Sequence, residues 1–220
     1  MTQTQGSESV RDRLLGAILS EAAFDGWNGA SLAAAARECG LSDGDVRLAL
    51  PRGVLDLVAR WSQRCDREAE AEIGAADLKS MKIRERVTFA VLARLETIGS
   101  DDEAARKARA RLLLPDAGTL GAELIWATSD MIWRALGDSS TDVNFYTKRM
   151  TLSAVYGSSL AAWLGDQSAD KAEAKAFLDR RIENVMQFEK FKAQTRKLTA
   201  NLPDPAEIFG KLRYGFDRRT

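Results

Sequence analysis

Apolar residues recur at steps of three and four along most of this chain, which is the period of helices that bury one face. Val10, Leu14, Ala17, Ile18 and Ala22 predict an amphipathic helix over 10–24, closed by Gly26. Ser31 is placed to cap a second short helix that runs to Cys39 and stops at Gly40. Ser42 is placed to cap a third that ends at Pro51. From Val54 to about Ile73 a longer helix turns Leu55, Val58, Ala59, Trp61 and Cys65 inward, with Gly74 at its end. Four more are predicted at about 79–98, 101–114, 116–136 and 142–164, and a last one from about Ala169 into the 190s. No alternating β-branched stretch bounded by turn residues occurs, so the fold class is all-α. The pattern divides into a disordered tail at 1–9, a small head at 10–53, a larger helical bundle at 54–194 and a C-terminal segment at 195–220. Asn201-Leu202-Pro203-Asp204-Pro205 breaks the helical period inside that segment.

Composition narrows the chemistry. The 220 residues are 45% hydrophobic and 29% charged, with four prolines, a balance that folds. Lys plus Arg equals Asp plus Glu at 32 each, so no net field draws the chain to nucleic acid or an anionic membrane, and any such attraction must be local. Histidine is absent, which removes Ser-His-Asp and Cys-His nucleophiles, His-built zinc sites and the Glu-x-x-His ligands of di-iron bundles. Cys39 and Cys65 sit in helical patterns, far from Cys-x-x-Cys spacing, and read as small buried hydrophobes. The polar start Met1 to Ser9 has no apolar core, and no run approaches the roughly 18 apolar residues of a membrane span.

In the head, Gly26 follows the first helix, Gly40-Leu41-Ser42 makes a tight turn, Gly44 sits in the third helix and Leu50-Pro51 precedes the fourth. This order resembles the helix-turn-helix head of TetR-type transcriptional regulators, over about residues 10–65. In such heads the third helix meets DNA phosphates with its first turn. Here that turn carries Asp43 and Asp45, which favour the helix dipole by about 0.3–1 kcal/mol each and repel phosphate. Around them Arg37, Arg47, Arg52 and Arg60 are matched by Glu38, Asp43, Asp45 and Asp56, so there is no basic footprint. The expectation is a head without nucleic-acid binding. A ligand-responsive TetR-type repressor stands as the alternative.

Two body helices are apolar on more than one side. One carries Ile83, Val87, Phe89, Val91, Leu92 and Leu95, the other Leu120, Leu124, Ile125, Met131, Ile132 and Trp133. Such helices are either packed all round or line a cavity, and periodicity does not separate the two. Between Gly137 and Arg149, Thr141 or Asp142 caps a helix, and Asp142, Phe145, Tyr146 and Arg149 recur on one side of it. Aromatics beside Arg fit a protein-docking hot spot, and equally a core aromatic pair beside a solvated ion pair.

The run Asp138 to Arg149, with Phe177-Leu178-Asp179-Arg180-Arg181-Ile182-Glu183-Asn184-Val185-Met186, closely resembles the coenzyme Q biosynthesis protein 9 family. Gly26-Trp27 and Leu50-Pro51-Arg52-Gly53 resemble that family's head, so the likeness covers about 10–190. It implies a TetR-like head, a bundle with a lipid cavity, no enzymatic activity of its own and no cofactor beyond a bound isoprenoid lipid or quinone precursor. The implied partners are that lipid and the demethoxyubiquinone hydroxylase, with a homodimer expected. Asp142, Phe145, Tyr146 and Arg149 correspond to the family's docking patch, although a tryptophan is usual where this chain has Phe145. Phe89, Leu92, Leu124, Met131, Met150 and Tyr156 are the residues assigned to lipid contact. No mitochondrial leader is recognised, which suggests a bacterial member acting in the cytoplasm, peripherally attached to the inner membrane.

From Phe188 to Thr220 eight basic residues outnumber four acidic ones, with Phe209, Leu212, Tyr214 and Phe216 interleaved. That composition suits a segment on anionic lipid, and the resemblance implies a C-terminal membrane-binding helix. Phe188, Phe191, Lys192, Lys197 and Leu198 are its candidate contacts. Packing of the same segment on the bundle or on a dimer mate is the other reading.

Overall fold

The computed structural model describes residues 2–199, with side chains from 10 to 188. Among these residues there are nine α-helices and no strand: α1 (Thr2–Asp25), α2 (Gly29–Glu38), α3 (Asp43–Ala49), α4 (Val54–Ala75), α5 (Ile83–Glu96), α6 (Asp102–Leu112), α7 (Leu120–Ala135), α8 (Val143–Gly165) and α9 (Ala172–Thr199). The all-α expectation holds. Short 3-10 turns at Leu78–Ser80, Pro115–Ala117 and Ala169–Lys171 fill three of the connections.

Several boundaries differ from the expected ones for local reasons. Helix α1 is helical back to Thr2, so the tail expected to be disordered at 1–9 is part of it; Gln3, Gln5 and Glu8 are good helix formers and no proline interrupts them. Asn28, not Ser31, caps α2. Its backbone is extended and its Oδ1 accepts from the N–H groups of Ala30 (2.8 Å) and Ser31 (3.1 Å), while the Ser31 hydroxyl donates back to Gly26 O. Ser42 does cap α3, in a reciprocal box with Asp45. The Asp45 carboxyl is held below its ordinary value by the Ser42 hydroxyl and backbone N–H. Helix α5 starts at Ile83, four residues later than expected, because Glu85 accepts from the Lys82 N–H and closes the N-terminus there.

Helices α7 and α8 form an antiparallel hairpin. Trp133 Nε1 donates to Lys148 O (3.1 Å), Ser153 to Ser129 (3.1 Å), and Gly157 lies against Ile125, so the pairing steps forward on one helix and back on the other. A Cβ on Gly157 would come within 3.3 Å of Ile125 Cδ1, which is why a glycine permits this approach.

The head does not stand apart. Trp27, 2% exposed, stacks on Trp61 of α4 with ring centroids 5.6 Å apart and donates to Ala104 O of α6 at 2.9 Å. Arg60 of α4 forks onto Asp12 of α1, both bonds 2.8 Å. Leu14, Leu15, Ile18 and Ala22 of α1 are buried with Leu57 and Val58 of α4. Because they share this core, head and bundle make one compact unit, Met1–Arg180, with 181–220 as the second.

Replacing Trp27 with alanine removes an indole sandwiched between head and body, and should cost about 3–5 kcal/mol. Urea unfolding followed by far-ultraviolet circular dichroism checks this; a loss under about 1 kcal/mol would show that the head is not welded through Trp27.

Candidate functional site

Helices α4 to α8 surround a cavity of about 370 Å³, within the size range of small-molecule sites. Its walls are largely apolar, from Val58 and Trp61 of α4, Ile98, Leu124 and Ile125 of α7, and Leu160 and Leu164 of α8. Ala105, Ala108, Gly121 and Gly157 also face it, and their small size leaves the space unfilled. Its outer end is bounded by the exposed Arg109, Leu113, Gly118 and Ala122, its inner end by the buried Cys65, Arg94, Thr128 and Tyr156.

The inner end is a closed polar network. Arg94, 5% exposed, donates from Nε to Asp66 (2.5 Å) and from Nη2 to the Ser62 hydroxyl (3.3 Å). Thr128 donates to the same Asp66 oxygen at 2.8 Å, and the Arg94 guanidinium lies 5.7 Å from the Tyr156 ring centroid. Burial pulls the Arg94 pKa down, but Tyr156 and Asp66 outweigh it and leave the proton held more firmly than usual. Burial pushes both the Tyr156 hydroxyl and the Cys65 thiol up, so both stay protonated at neutral pH. With Thr128 and Arg94 committed to Asp66, the network is satisfied within the protein and the remaining wall suits an apolar guest.

Of the residues assigned to lipid contact, Leu124 and Tyr156 line this cavity. Phe89, Leu92, Met131 and Met150 do not. Phe89 and Leu92 lie roughly 140–160° around α5 from Arg94, at about 100° per residue, on a half-buried face turned elsewhere. Met131 is packed in the core, and Met150 is 64% exposed on the outer side of α8. Arg94 and Asp66 escaped the sequence reading. The available signal was one cation within the apolar run Phe89-Ala90-Val91-Leu92-Ala93-Arg94-Leu95.

The expected docking residues are brought together, but in unlike roles. Asp142 is exposed and caps α8, accepting from Asn144 N at 2.9 Å. Tyr146 is 60% exposed, stacks with Trp126 of α7 at 6.5 Å and meets the half-buried Phe145 edge-on at 5.1 Å. Arg149 is 1% exposed and cannot be a surface contact. Its Nε donates to Asp130 (2.6 Å) and its Nη1 to Asp138 (3.2 Å), and its guanidinium lies 3.5 Å from the Phe145 ring centroid. The free apolar face is instead the stripe Val143, Tyr146 and Met150, recurring at three and four residues on α8. Phe188 is exposed; Phe191, Lys192, Lys197 and Leu198, and all of 200–220, lie outside the residues whose side chains are described. Among the described residues no helix is long and apolar enough to cross a membrane.

Arg149 to alanine leaves Asp130 and Asp138 without their shared cation and should cost about 3–5 kcal/mol, against under about 0.5 kcal/mol for Tyr146→Ala. Equal stability of the two variants in urea would return Arg149 to the surface. Burial would raise the Asp138 carboxyl, but bonds from Lys148, Ser140 and Arg149 win and hold it at about 2. A depressed carboxylate stabilises the fold above its unfolded pKa of 3.8, and that contribution is lost as pH falls from about 4 towards 2. The melting temperature should therefore fall more steeply across that window in the native protein than in Asp138→Asn. Parallel profiles would remove Asp138 from the network.

A family model described as COQ9 matches residues 119–189, which contain α7, α8 and the start of α9. The chain is 29% identical over 188 residues to the ubiquinone biosynthesis protein COQ9, mitochondrial, of Rattus norvegicus, covering 83% of this chain and 60% of that one. It is 28% identical over 188 residues to the protein of the same name in Homo sapiens, covering 83% and 59%. The chain thus spans about three-fifths of the length of these relatives. In structure it is similar to a TetR transcriptional regulator from Nitrosomonas europaea, with a TM-score of 0.64 at 19% identity over 80% of this chain and 97% of that one, a likeness of fold alone. Likeness to these relatives runs through head and bundle alike, and the family pattern falls on the α7–α8 hairpin: the chain is similar to proteins of the COQ9 family.

Proposed function

We propose that this protein is a lipid-binding accessory protein of ubiquinone biosynthesis, without bond-making chemistry of its own. It holds the isoprenoid tail of a quinone precursor in the bundle and presents the head group to the demethoxyubiquinone hydroxylase. The observation that carries this reading is the apolar cavity of about 370 Å³, open at Leu113 and closed inside by a polar network that asks nothing of its guest. The names of the relatives supply the pathway. The exposed stripe Val143, Tyr146 and Met150, with Trp126 behind Tyr146, is the face offered to the enzyme. Arg149 and Phe145 act beneath it, the guanidinium holding the aromatic ring in place. The homodimer and the peripheral membrane attachment through 195–220 belong to the same reading, supported by the basic and aromatic composition of that segment.

The head has the helix-turn-helix order, but Asp45 is spent on the Ser42 capping box and Asp43 is exposed in the turn that would face phosphate. Repression of a promoter is accordingly the weaker reading.

Docking is tested with Tyr146→Ala, Met150→Ala, a pair chosen because both side chains are exposed and Phe145 is structurally engaged. Co-purification with the hydroxylase should be lost while the circular dichroism spectrum is unchanged; retained co-purification would remove the docking face. Carriage is tested through Cys65, which lines the cavity. In a Cys39→Ser background a short-chain isoprenoid quinone should slow alkylation of Cys65 by N-ethylmaleimide by about tenfold, the signature of a filled site. An unchanged rate would contradict carriage in this cavity.

A further inference from the structure

The cavity has to be loaded with something that dissolves poorly in water, and its mouth carries an unexplained feature. Three consecutive leucines mark the exit of helix α6: Leu112 is its last residue, Leu113 its cap, and Leu114 is already extended before Pro115. Leu112 and Leu113 point about 100° apart and the chain turns out of the helix at Leu114, so the three cannot share one buried face. Leu112 packs beside Gly121 of α7, and the other two turn to solvent: Leu113 is 74% exposed and Leu114 51%. Leucines left in water at a corner are a cost unless something apolar covers them. Leu113 is also part of the cavity wall, so the outer apolar patch and the inner one are a single surface. The corner is rigid, with Leu114 extended ahead of Pro115, a 3-10 turn over Pro115–Ala117 and Gly118 at φ +56°. The exposed Arg109, one turn before Leu113, stands at the same mouth, and Arg111 is held against Asp116 with its best bond at 2.5 Å.

We propose that Leu113 and Leu114, with Arg109 beside them, seat the mouth of the cavity on the surface of a lipid bilayer. This rests on the carrier reading above and adds the place where the guest enters. An isoprenoid that left a bilayer for a mouth opening into water would expose its whole apolar length on the way. With the leucine corner inserted among the acyl chains, it passes from one apolar medium to another. Arg109 supplies the cation that a phosphate head group at that depth pairs with. A protein plugged onto the same leucines would close the cavity instead of loading it.

The test uses the full chain in a Cys39→Ser, Cys65→Ser background, with a nitrobenzoxadiazole label at Leu114→Cys. That position is exposed at the corner but does not line the cavity. The control carries the same label at Leu48→Cys, 82% exposed on the head. On vesicles of equal parts phosphatidylcholine and phosphatidylglycerol, emission at 114 should shift to the blue and be quenched by spin-labelled acyl chains, while that at 48 should not. A label at 114 that behaves like the one at 48, whether or not the protein sediments with the vesicles, overturns the proposal. Leu114→Asp, exposed and outside the cavity wall, should slow transfer of a fluorescent isoprenoid from vesicles to protein by about tenfold with the melting temperature unchanged. Transfer at the native rate would also overturn it. Shielding of Cys65 by a short isoprenoid quinone separates the two ideas: shielding with a silent corner sinks the entry site alone, and no shielding sinks the carrier reading itself.

Discussion

One guanidinium ties together the helices around the cavity. Arg94 of α5 reaches Asp66 and Ser62 of α4, shares Asp66 with Thr128 of α7, and lies beside the ring of Tyr156 on α8. A charge this deep is tolerable only if every polar neighbour is satisfied. Here that requirement fixes where four helices meet. Because the polar atoms are consumed at one end, the rest of the enclosed space is left to Val58, Trp61, Leu124, Ile125 and Leu160, with glycines and alanines too small to fill it. The cavity is thus held open by a network at its end, not by the guest.

A second buried guanidinium repeats the arrangement nearer the turn of the α7–α8 hairpin. Arg149 joins Asp130 on α7 to Asp138 on the connecting loop and stacks on Phe145, which meets Tyr146 edge-on. The exposed face of Val143, Tyr146 and Met150 therefore stands on a rigid base, which lowers the entropy a docked partner would have to remove. Trp27 does for the head what these residues do for the body, bridging to Trp61 and Ala104 so that head and bundle share one core. The fold is similar to that of a TetR transcriptional regulator, and here head and bundle share one compact unit.

How much of this could be read from the chain follows from the range of each interaction. Helical period and nearby caps are local, so the helices and the Ser42 cap were legible, as was the likeness carried by the 138–149 and 177–186 runs. Ser31 was mistaken for a cap because either it or Asn28 could serve, and only the backbone turn at Gly26 decides between them. Spacing put Asp142, Phe145, Tyr146 and Arg149 on one side of α8, but it does not say how deep each lies. The partners that bury Arg149, at 130 and 138, are 19 and 11 residues away. Likewise Asp66 and Arg94 are 28 residues apart, and nothing local announces their pairing. Cavity lining was the least legible feature. Apolar residues that face the cavity and those that face the core obey the same period, which is why Leu124 and Tyr156 were placed there along with Phe89, Leu92, Met131 and Met150.

The central claim is that the space beside Arg94 holds a greasy guest. The most direct measurement is mass spectrometry of the organic extract of the purified full-length chain, set against its protein concentration. The account requires an isoprenoid species in a fixed ratio to protein, lost when the cavity is filled from its wall by Ala108→Leu. Purified protein that carries no isoprenoid, or carries the same amount with the cavity filled, would contradict it.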